Sequence, residues 1–238
     1  MSNAILMASG LGTRMRPLTN TTPKPLIKVG GIPMIETIIN ALKNANVENI
    51  FVVVGYLSEQ FNYLKEKYSN LFIIKNPDYR TINNISSIYY AKDKLLLGDC
   101  FICEADLFIS DSDTFRKEFK NSCYFGKMVK GHSDDWVFDT NEQGIITRVG
   151  KVGDDKYNMV GLSYFTKNDS KTLCNAIDNA YYKDGYENLF WDDVVNNNLD
   201  KLILKIHPVN EKMIVEIDTV QELEAINNEV LNGSRKIS

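Results

Sequence analysis

The chain has 238 residues, a length that suits one α/β domain with a sizeable apolar core. Its formal net charge of −4 offers no global basic field for nucleic acid or an anionic membrane, so phosphate binding falls to local basic residues. Apolar runs such as residues 50–54 are too short to span a bilayer, and the N-terminal apolar residues lead into a Gly-rich loop without a basic segment and signal core, so a cytoplasmic location is expected.

The predicted elements alternate in the first half. Residues 3–8 form an apolar strand, followed by a polar loop from 9 to 33. Ile35, Ile38, Ile39 and Leu42 then recur at helical spacing, and residues 50–54 are a β-branched strand. Ser58 is placed to cap a helix carrying Phe61, Leu64 and Tyr68. A strand at 71–74, a helix at 84–92 and a strand at 100–105 follow. The last contains Cys100 and Cys103, a C-x-x-C whose members fall on opposite faces of an extended chain. With Cys123 and Cys174 they read as small core residues in a reducing compartment, not as a metal site.

In the second half, strands are predicted at 124–129, 136–139, 145–149 and 159–165, with a turn at 141–144. Helices at 171–182 and 187–197 precede strands at 202–206 and 214–217. A terminal helix carries Val220, Leu223, Ile226 and Val230. The expected fold is α/β: a Rossmann-like, mostly parallel sheet covered by helices on both faces, with a smaller β/α portion, all in one domain.

Chemistry concentrates after the first strand, in Ala8-Ser9-Gly10-Leu11-Gly12-Thr13-Arg14-Met15-Arg16-Pro17-Leu18-Thr19, continuing to Pro23-Lys24-Pro25-Leu26. Open α/β sheets place ligands at this carboxyl edge. Gly10 and Gly12 let backbone N–H groups approach phosphate oxygens; Arg14 supplies a fork of donors, and Lys24 a charge on a restrained backbone. The string is neither a Walker A loop nor G-x-G-x-x-G. Two strands end in paired acids, Glu104-Ala105-Asp106 and Glu216-Ile217-Asp218. Acids two apart share a face, and carboxylates at a sheet edge suit Mg²⁺. Asn83, Asn84 and Ser87 offer donors and acceptors for a base edge, although Asn83 or Asn84 would equally cap the following helix. Both tryptophans abut acids: Trp136 follows Asp134 and Asp135, and Trp191 precedes Asp192 and Asp193. Aromatic faces with carboxylates suit a quaternary ammonium.

The loop string resembles the signature of the nucleoside-diphosphate-sugar pyrophosphorylase superfamily. Together with Val54-Gly55-Tyr56-Leu57, Asn83-Asn84, Glu104-Ala105-Asp106, Phe190-Trp191-Asp192 and Glu216-Ile217-Asp218, it resembles the bacterial phosphocholine cytidylyltransferases over nearly its whole length. The resemblance implies attack by a metabolite phosphate on the α-phosphorus of CTP, with Mg²⁺ as cofactor and pyrophosphate leaving. It implies catalytic roles for Arg14 and Lys24, and nucleotide contacts from Ala8, Ser9, Gly10, Gly12, Thr13, Asn83, Ser87 and Glu104. Metal would fall to Asp106, Asp218 and Glu216, and the acceptor to Trp136, Tyr164, Glu187, Trp191 and Asp192. Residues 1–110 would bind the NTP and 111–238 the acceptor.

Phosphocholine is the expected acceptor, with no nucleic acid or membrane partner. Asn188 stands where an acid is expected in choline-type relatives, which admits phosphoethanolamine, 2-aminoethylphosphonate or phosphoglutamine instead. A sugar-1-phosphate enzyme suits the short chain and aromatic–acid pairs less well. An inactive nucleotide-binding homologue is opposed by the joint presence of Arg14, Lys24, Asp106 and Asp218.

Overall fold

The computed structural model describes residues 2–116, 118–210 and 212–235. The first half runs β1 (Ser2–Ala8), a short ribbon of β2 (Lys28–Val29) and β3 (Ile32–Pro33), α1 (Met34–Asn44), β4 (Asn49–Val54), α2 (Tyr63–Lys67), β5 (Leu71–Lys75), α3 (Ile85–Ala91), β6 (Asp99–Glu104) and β7 (Leu107–Ile109). The second half runs β8 (Cys123–Met128), β9 (His132–Thr140), β10 (Ile146–Asp154), β11 (Tyr157–Phe165), α4 (Lys167–Ala180), α5 (Trp191–Asn196), β12 (Lys205–Pro208), β13 (Ile214–Glu216) and α6 (Val220–Leu231).

One nine-stranded sheet passes through both halves in the order β10-β9-β11-β6-β1-β4-β5, with β8 paired to β11 and β12 to β8. Its centre is parallel: β1 lies between β4 and β6, and β5 extends the set beyond β4. From β11 outward the pairing is antiparallel, through β8, β9 and β10.

Alternation along the parallel strands divides the core in two. Ala4, Leu6 and Ala8 face α1, where Ile35, Ile38, Ile39 and Leu42 are fully buried. Ile5 and Ile102 face the other way, toward Ile85, Ile88, Leu173 and Ile177 of α3 and α4. The stripe on α1 and the strand parity therefore specify the same face, and each buried Ile or Leu contributes about 1.5–3 kcal/mol by leaving water. Cys100 and Cys103 fall on opposite faces, as expected of a strand, and all four cysteines are free and buried.

A third, smaller core fixes the functional loop. Met15, Ile27 and Val29 pack with Met34, Phe108, Ile217, Leu223 and Ile226, so α6 and the short β7–β13 pair clamp the loop from outside the main sheet.

The structure departs from the sequence expectation at helix starts and in the long loop. The loop folds into three 3-10 turns, Thr13–Met15, Leu18–Asn20 and Lys24–Leu26, before the β2–β3 ribbon. Ser58 does not cap a helix with its side chain. Leu57 precedes the turn in a left-handed conformation (φ 48°), and Ser58–Phe61 is a 3-10 turn ahead of the short α2. Residues Tyr186–Asn188 likewise form a separate 3-10 turn, so α5 starts only at Trp191. Apolar periodicity located these segments correctly but does not distinguish a continuous helix from a broken one. Among the described residues, no helix is long and apolar enough to cross a membrane.

Candidate active site

The loop after β1 is held from several directions. Ser9 Oγ donates to Val53 O at 3.1 Å, and Tyr56 N–H donates to Ser9 O at 3.1 Å, tying the loop to the end of β4. Thr19 Oγ1 donates to Gly12 O at 2.8 Å; Tyr56 Oη donates to Thr19 O at 2.8 Å. Gly12 is obligatory on two counts. Its φ is +60°, and a Cβ there would lie 2.9 Å from Lys24 Cβ and 3.0 Å from Thr19 Cγ2. Gly10 has no atom within 4 Å of a Cβ position, so its backbone faces open space.

That space is a cavity of about 320 Å³ at the carboxyl ends of β1 and β6. Ala8, Ser9, Gly10, Gly12, Thr13, Arg14, Lys24, Ser87, Glu104, Asp106 and Asp218 all line it, joined by Met7, Pro25, Asn84 and Phe190.

Its floor is charged. Lys24 Nζ donates to Asp106 Oδ2 at 2.6 Å and to Asp218 Oδ1 at 2.5 Å; Arg14 Nη2 reaches Asp218 Oδ1 at 2.8 Å. The two cations differ in access: the Lys24 side chain is 9% exposed and that of Arg14 is 67% exposed. Burial would lower the pKa of Lys24, but Asp106 and Asp218 outweigh it and hold the ammonium above its ordinary value. The acids shift upward as well, which for a carboxyl group favours the neutral form. Burial, then Asp106 and Glu216, push Glu104 well above the usual carboxylate range. Burial with Asp106 and Asp218 pushes Glu216 up to about 8.

Four carboxylates thus converge on two cations. β13 pairs Glu216 with Leu107 of β7, and Ile217 N–H donates to Asp106 O at 3.4 Å, which brings the two acidic strand ends together. Carboxylate oxygens of Glu104, Asp106 and Glu216 lie within 4.8 Å of one another. Asp218 belongs instead with Lys24 and Arg14, so the compact trio contains Glu104 in its place. Asp106 Oδ1 is buried and has no hydrogen-bond partner among the described residues. An all-carboxylate cluster with an unpartnered oxygen fits a hard divalent cation such as Mg²⁺.

A smaller recess of about 170 Å³ opens beside the loop, lined by Ser9, Gly10, Asn83, Asn84 and Ser87 among others. Neither asparagine caps α3 with its side chain. Asn84 Oδ1 accepts from Trp191 N–H at 2.9 Å, and Asn83 Nδ2 donates to Asn188 O at 3.2 Å. The two asparagines therefore join α3 to the segment before α5. Asn188 and Glu187 lie on this side: Glu187 is exposed, and its carbonyl accepts from Asn83 N–H at 2.8 Å.

A third cavity, about 340 Å³, shares Arg14, Glu104, Phe190 and Asp218 with the first. Asp134, Asp135, Trp136, Lys127, Lys151, Asn158, Asp192 and Glu216 also line it. Trp136 and Phe190 meet edge to face at 5.5 Å, and Lys151 Nζ lies 5.6 Å and 5.1 Å from their ring centres. Asp192 is 2% exposed and accepts from Tyr124 Oη at 2.9 Å; burial pushes its pKa up to about 7.

Of the five residues expected at the acceptor, Trp136 and Asp192 line this cavity, whereas Trp191, Tyr164 and Glu187 do not. Trp191 is packed in the core beside Tyr124 and Phe165, and Tyr164 is buried against Phe101 and Phe119. The reason is parity. Phe190 is extended where it caps α5, so its side chain enters the cavities while its neighbour Trp191 turns into the core. Sequence reading gave no role to Lys127, Lys151 or Asn158, which sit on three different strands with no shared motif.

A nucleotidyl transferase family profile matches residues 3–128. A 2-aminoethylphosphonate cytidylyltransferase of Lancefieldella rimae is 57% identical over 95% of this chain and 92% of its own length. A choline-phosphate cytidylyltransferase of Streptococcus pneumoniae is 32% identical over 96% of this chain and 98% of its own. The structure of CTP:phosphocholine cytidylyltransferase from Streptococcus pneumoniae superposes with a TM-score of 0.88 at 31% identity, covering 95% of this chain and 98% of that one. The chain belongs to the nucleotidyl transferase family and is a nucleotidyltransferase enzyme. Within that family, these relatives, matched along nearly their whole length, are cytidylyltransferases.

Proposed function

We propose that the chain transfers CMP from CTP to 2-aminoethylphosphonate, releasing pyrophosphate. Residues 1–110 would hold the nucleotide and 111–238 the acceptor. A phosphonate oxygen forms a bond to the α-phosphorus as the bond from that phosphorus to the pyrophosphate oxygen breaks. The attacking group is already an anion, so no general base is required, and catalysis rests on alignment and charge neutralisation. Arg14, exposed and paired with Asp218, is suited to the leaving pyrophosphate. Lys24, buried and charged, is suited to the reacting phosphorus centres. Asn83, Asn84 and Ser87 offer donors and acceptors to the cytosine edge.

Asp106, with its unpartnered oxygen, and Glu216 and Asp218 would hold Mg²⁺, with Glu104 in the same cluster. When bound, the ion supplies charge neutralisation at the phosphates. The substrate and the four free thiols fit a reducing cytoplasm.

The wall of the third cavity carries the choice of acceptor. Beyond the acids Glu104, Glu216 and Asp218 at its inner end, it carries Asp134, Asp135 and Asp192, while its aromatic pair already faces the protein's own Lys151. A primary ammonium finds charged hydrogen-bond acceptors there. A trimethylammonium would have to displace Lys151 to reach the rings, and Trp191 offers it no face. The 57% identity with a 2-aminoethylphosphonate enzyme supports the same choice. Competition of 2-aminoethylphosphonate, phosphoethanolamine and phosphocholine at equal concentration, with products resolved by mass spectrometry, tests it. The expected product is the mixed anhydride of CMP and the aminophosphonate; predominance of CDP-choline would reverse the assignment.

A further inference from the structure

Asn158 is the polar residue of the acceptor cavity that the proposed reaction leaves unexplained. It lies on β11, opposite Lys127 of β8 and Val137 of β9, and is 3% exposed. Its amide nitrogen is fully used: Nδ2 donates to Ser133 Oγ at 2.6 Å and approaches Asp135 Oδ2 at 3.4 Å. Its amide oxygen is buried without a hydrogen-bond partner among the described residues. The orientation of the amide is set by these neighbours, because turning it over would put Oδ1 against the Asp135 carboxylate, which only accepts.

A buried carbonyl oxygen without a donor is costly, and native proteins rarely leave one so unless something else completes it. This oxygen belongs to a residue in the cavity wall, whose amide nitrogen meets Asp135, and Asp192 lines the same cavity. Whatever satisfies it must donate an N–H or O–H. We propose that Asn158 selects acceptors whose cationic nitrogen carries hydrogens, its Oδ1 accepting from an ammonium N–H while the carboxylates balance the charge. A primary ammonium has three such hydrogens; a trimethylammonium has none and would leave Oδ1 both buried and unpartnered. The carboxylates attract either cation. The amide oxygen tells them apart, because it rewards direction and not charge. This rests on the amine-bearing acceptor proposed above.

The test is a graded acceptor series: 2-aminoethylphosphonate, its N-methyl, N,N-dimethyl and N,N,N-trimethyl derivatives, and ethylphosphonate, each with CTP. Native enzyme is expected to lose kcat/KM with each methyl added. Asn158→Leu is expected to lower kcat/KM for the primary amine roughly ten- to a hundredfold through KM, the cost of losing a hydrogen bond from a charged donor. The trimethyl derivative and the KM for CTP should hardly change, so the ratio of primary to trimethyl activity collapses. Asn158→Gln keeps an amide oxygen without setting a second carboxylate beside Asp135, and should preserve that ratio even where Asn158→Leu folds poorly. If Asn158 only ties β11 to Ser133, both acceptors lose equally, the ratio survives in the Leu variant and the proposal falls while the amine reading stands. A native enzyme that prefers the trimethyl derivative removes the amine reading and this inference together.

Discussion

The nucleotide cavity takes most of its wall from one continuous stretch, residues 7–25, whereas the acceptor cavity is assembled from β8, β9, β10, β11, β13 and the start of α5. The first is shaped by backbone: Gly12 in a left-handed turn, Ser9 tied to β4, Met15 sunk into the third core. The second is shaped by side chains drawn a few at a time from several separate strands and the start of α5. A continuous wall changes only if the turn chemistry changes. A distributed wall can alter one residue at a time, so a common nucleotide chemistry is compatible with relatives named for different acceptors.

The largest effect should come from the charged floor of the first cavity. Lys24→Ala removes the charge that bridges Asp106 and Asp218, and kcat should fall roughly 10²–10³-fold, the usual loss for one donor at a developing charge. Near-native pyrophosphate release from that variant would exclude Lys24 from the reaction. Asp106→Asn should weaken the apparent Mg²⁺ affinity by about tenfold or more, since even outer-shell partners of a metal carry that much. A Mg²⁺ titration of the rate reads it, and a native enzyme indifferent to chelation would contradict the assignment.

The neighbours Phe190 and Trp191 sharpen the comparison, because one faces the cavities and the other the core. Trp191→Ala should cost about 3–5 kcal/mol of stability as a core truncation. Phe190→Ala should leave the melting temperature close to native and raise the acceptor KM. The reverse pattern would mean that the ring facing the substrate has been misassigned. Gly12→Ala should cost about 1–2 kcal/mol for its left-handed backbone alone, with a raised KM for CTP and an unchanged KM for the acceptor.

The smallest effect is in pH. The folded-state pKa of Asp192 is raised to about 7 by burial, so the folded protein retains a proton that the unfolded chain has released. The resulting stability penalty is absent below about pH 4, grows as pH rises and is complete above about 7. Binding of an ammonium favours the ionised form, so the acceptor KM should fall as pH rises through about 7. Asp192→Asn should flatten both trends; an unchanged pH profile in that variant would take Asp192 out of the acceptor site.

Legibility in the sequence follows the same division. The strand–loop–helix start of the fold was readable because residues 3–8 and the stripe Ile35, Ile38, Ile39 and Leu42 each carry one period. The loop after β1 is legible as one unit because its residues are contiguous; those expected at the nucleotide line one cavity, except Asn83, which lines the recess beside it. The acidic strand ends were readable as pairs, but their grouping was not. The β7–β13 pairing that sets Glu216 beside Asp106 and Glu104, and leaves Asp218 to Lys24, joins segments more than a hundred residues apart. Trp191 was drawn to the acceptor by its acidic flanks, yet the turn from an extended Phe190 into α5 reverses which ring is exposed. The sequence points Asn188 toward the acceptor, whereas its carbonyl accepts from Asn83 Nδ2, beside the smaller recess. Lys151 and Asn158 acquire meaning only when β9, β10 and β11 lie side by side.

The central claim, CMP transfer from CTP to 2-aminoethylphosphonate, is tested most directly by ³¹P NMR of native enzyme with Mg²⁺ and 2-aminoethylphosphonate, in parallel samples containing CTP, UTP, ATP or GTP. The account predicts that only the CTP sample forms pyrophosphate, in step with loss of the free phosphonate signal and growth of a phosphonate–phosphate anhydride. Pyrophosphate formed from another NTP, or CTP consumed while the phosphonate signal stays constant, would contradict it.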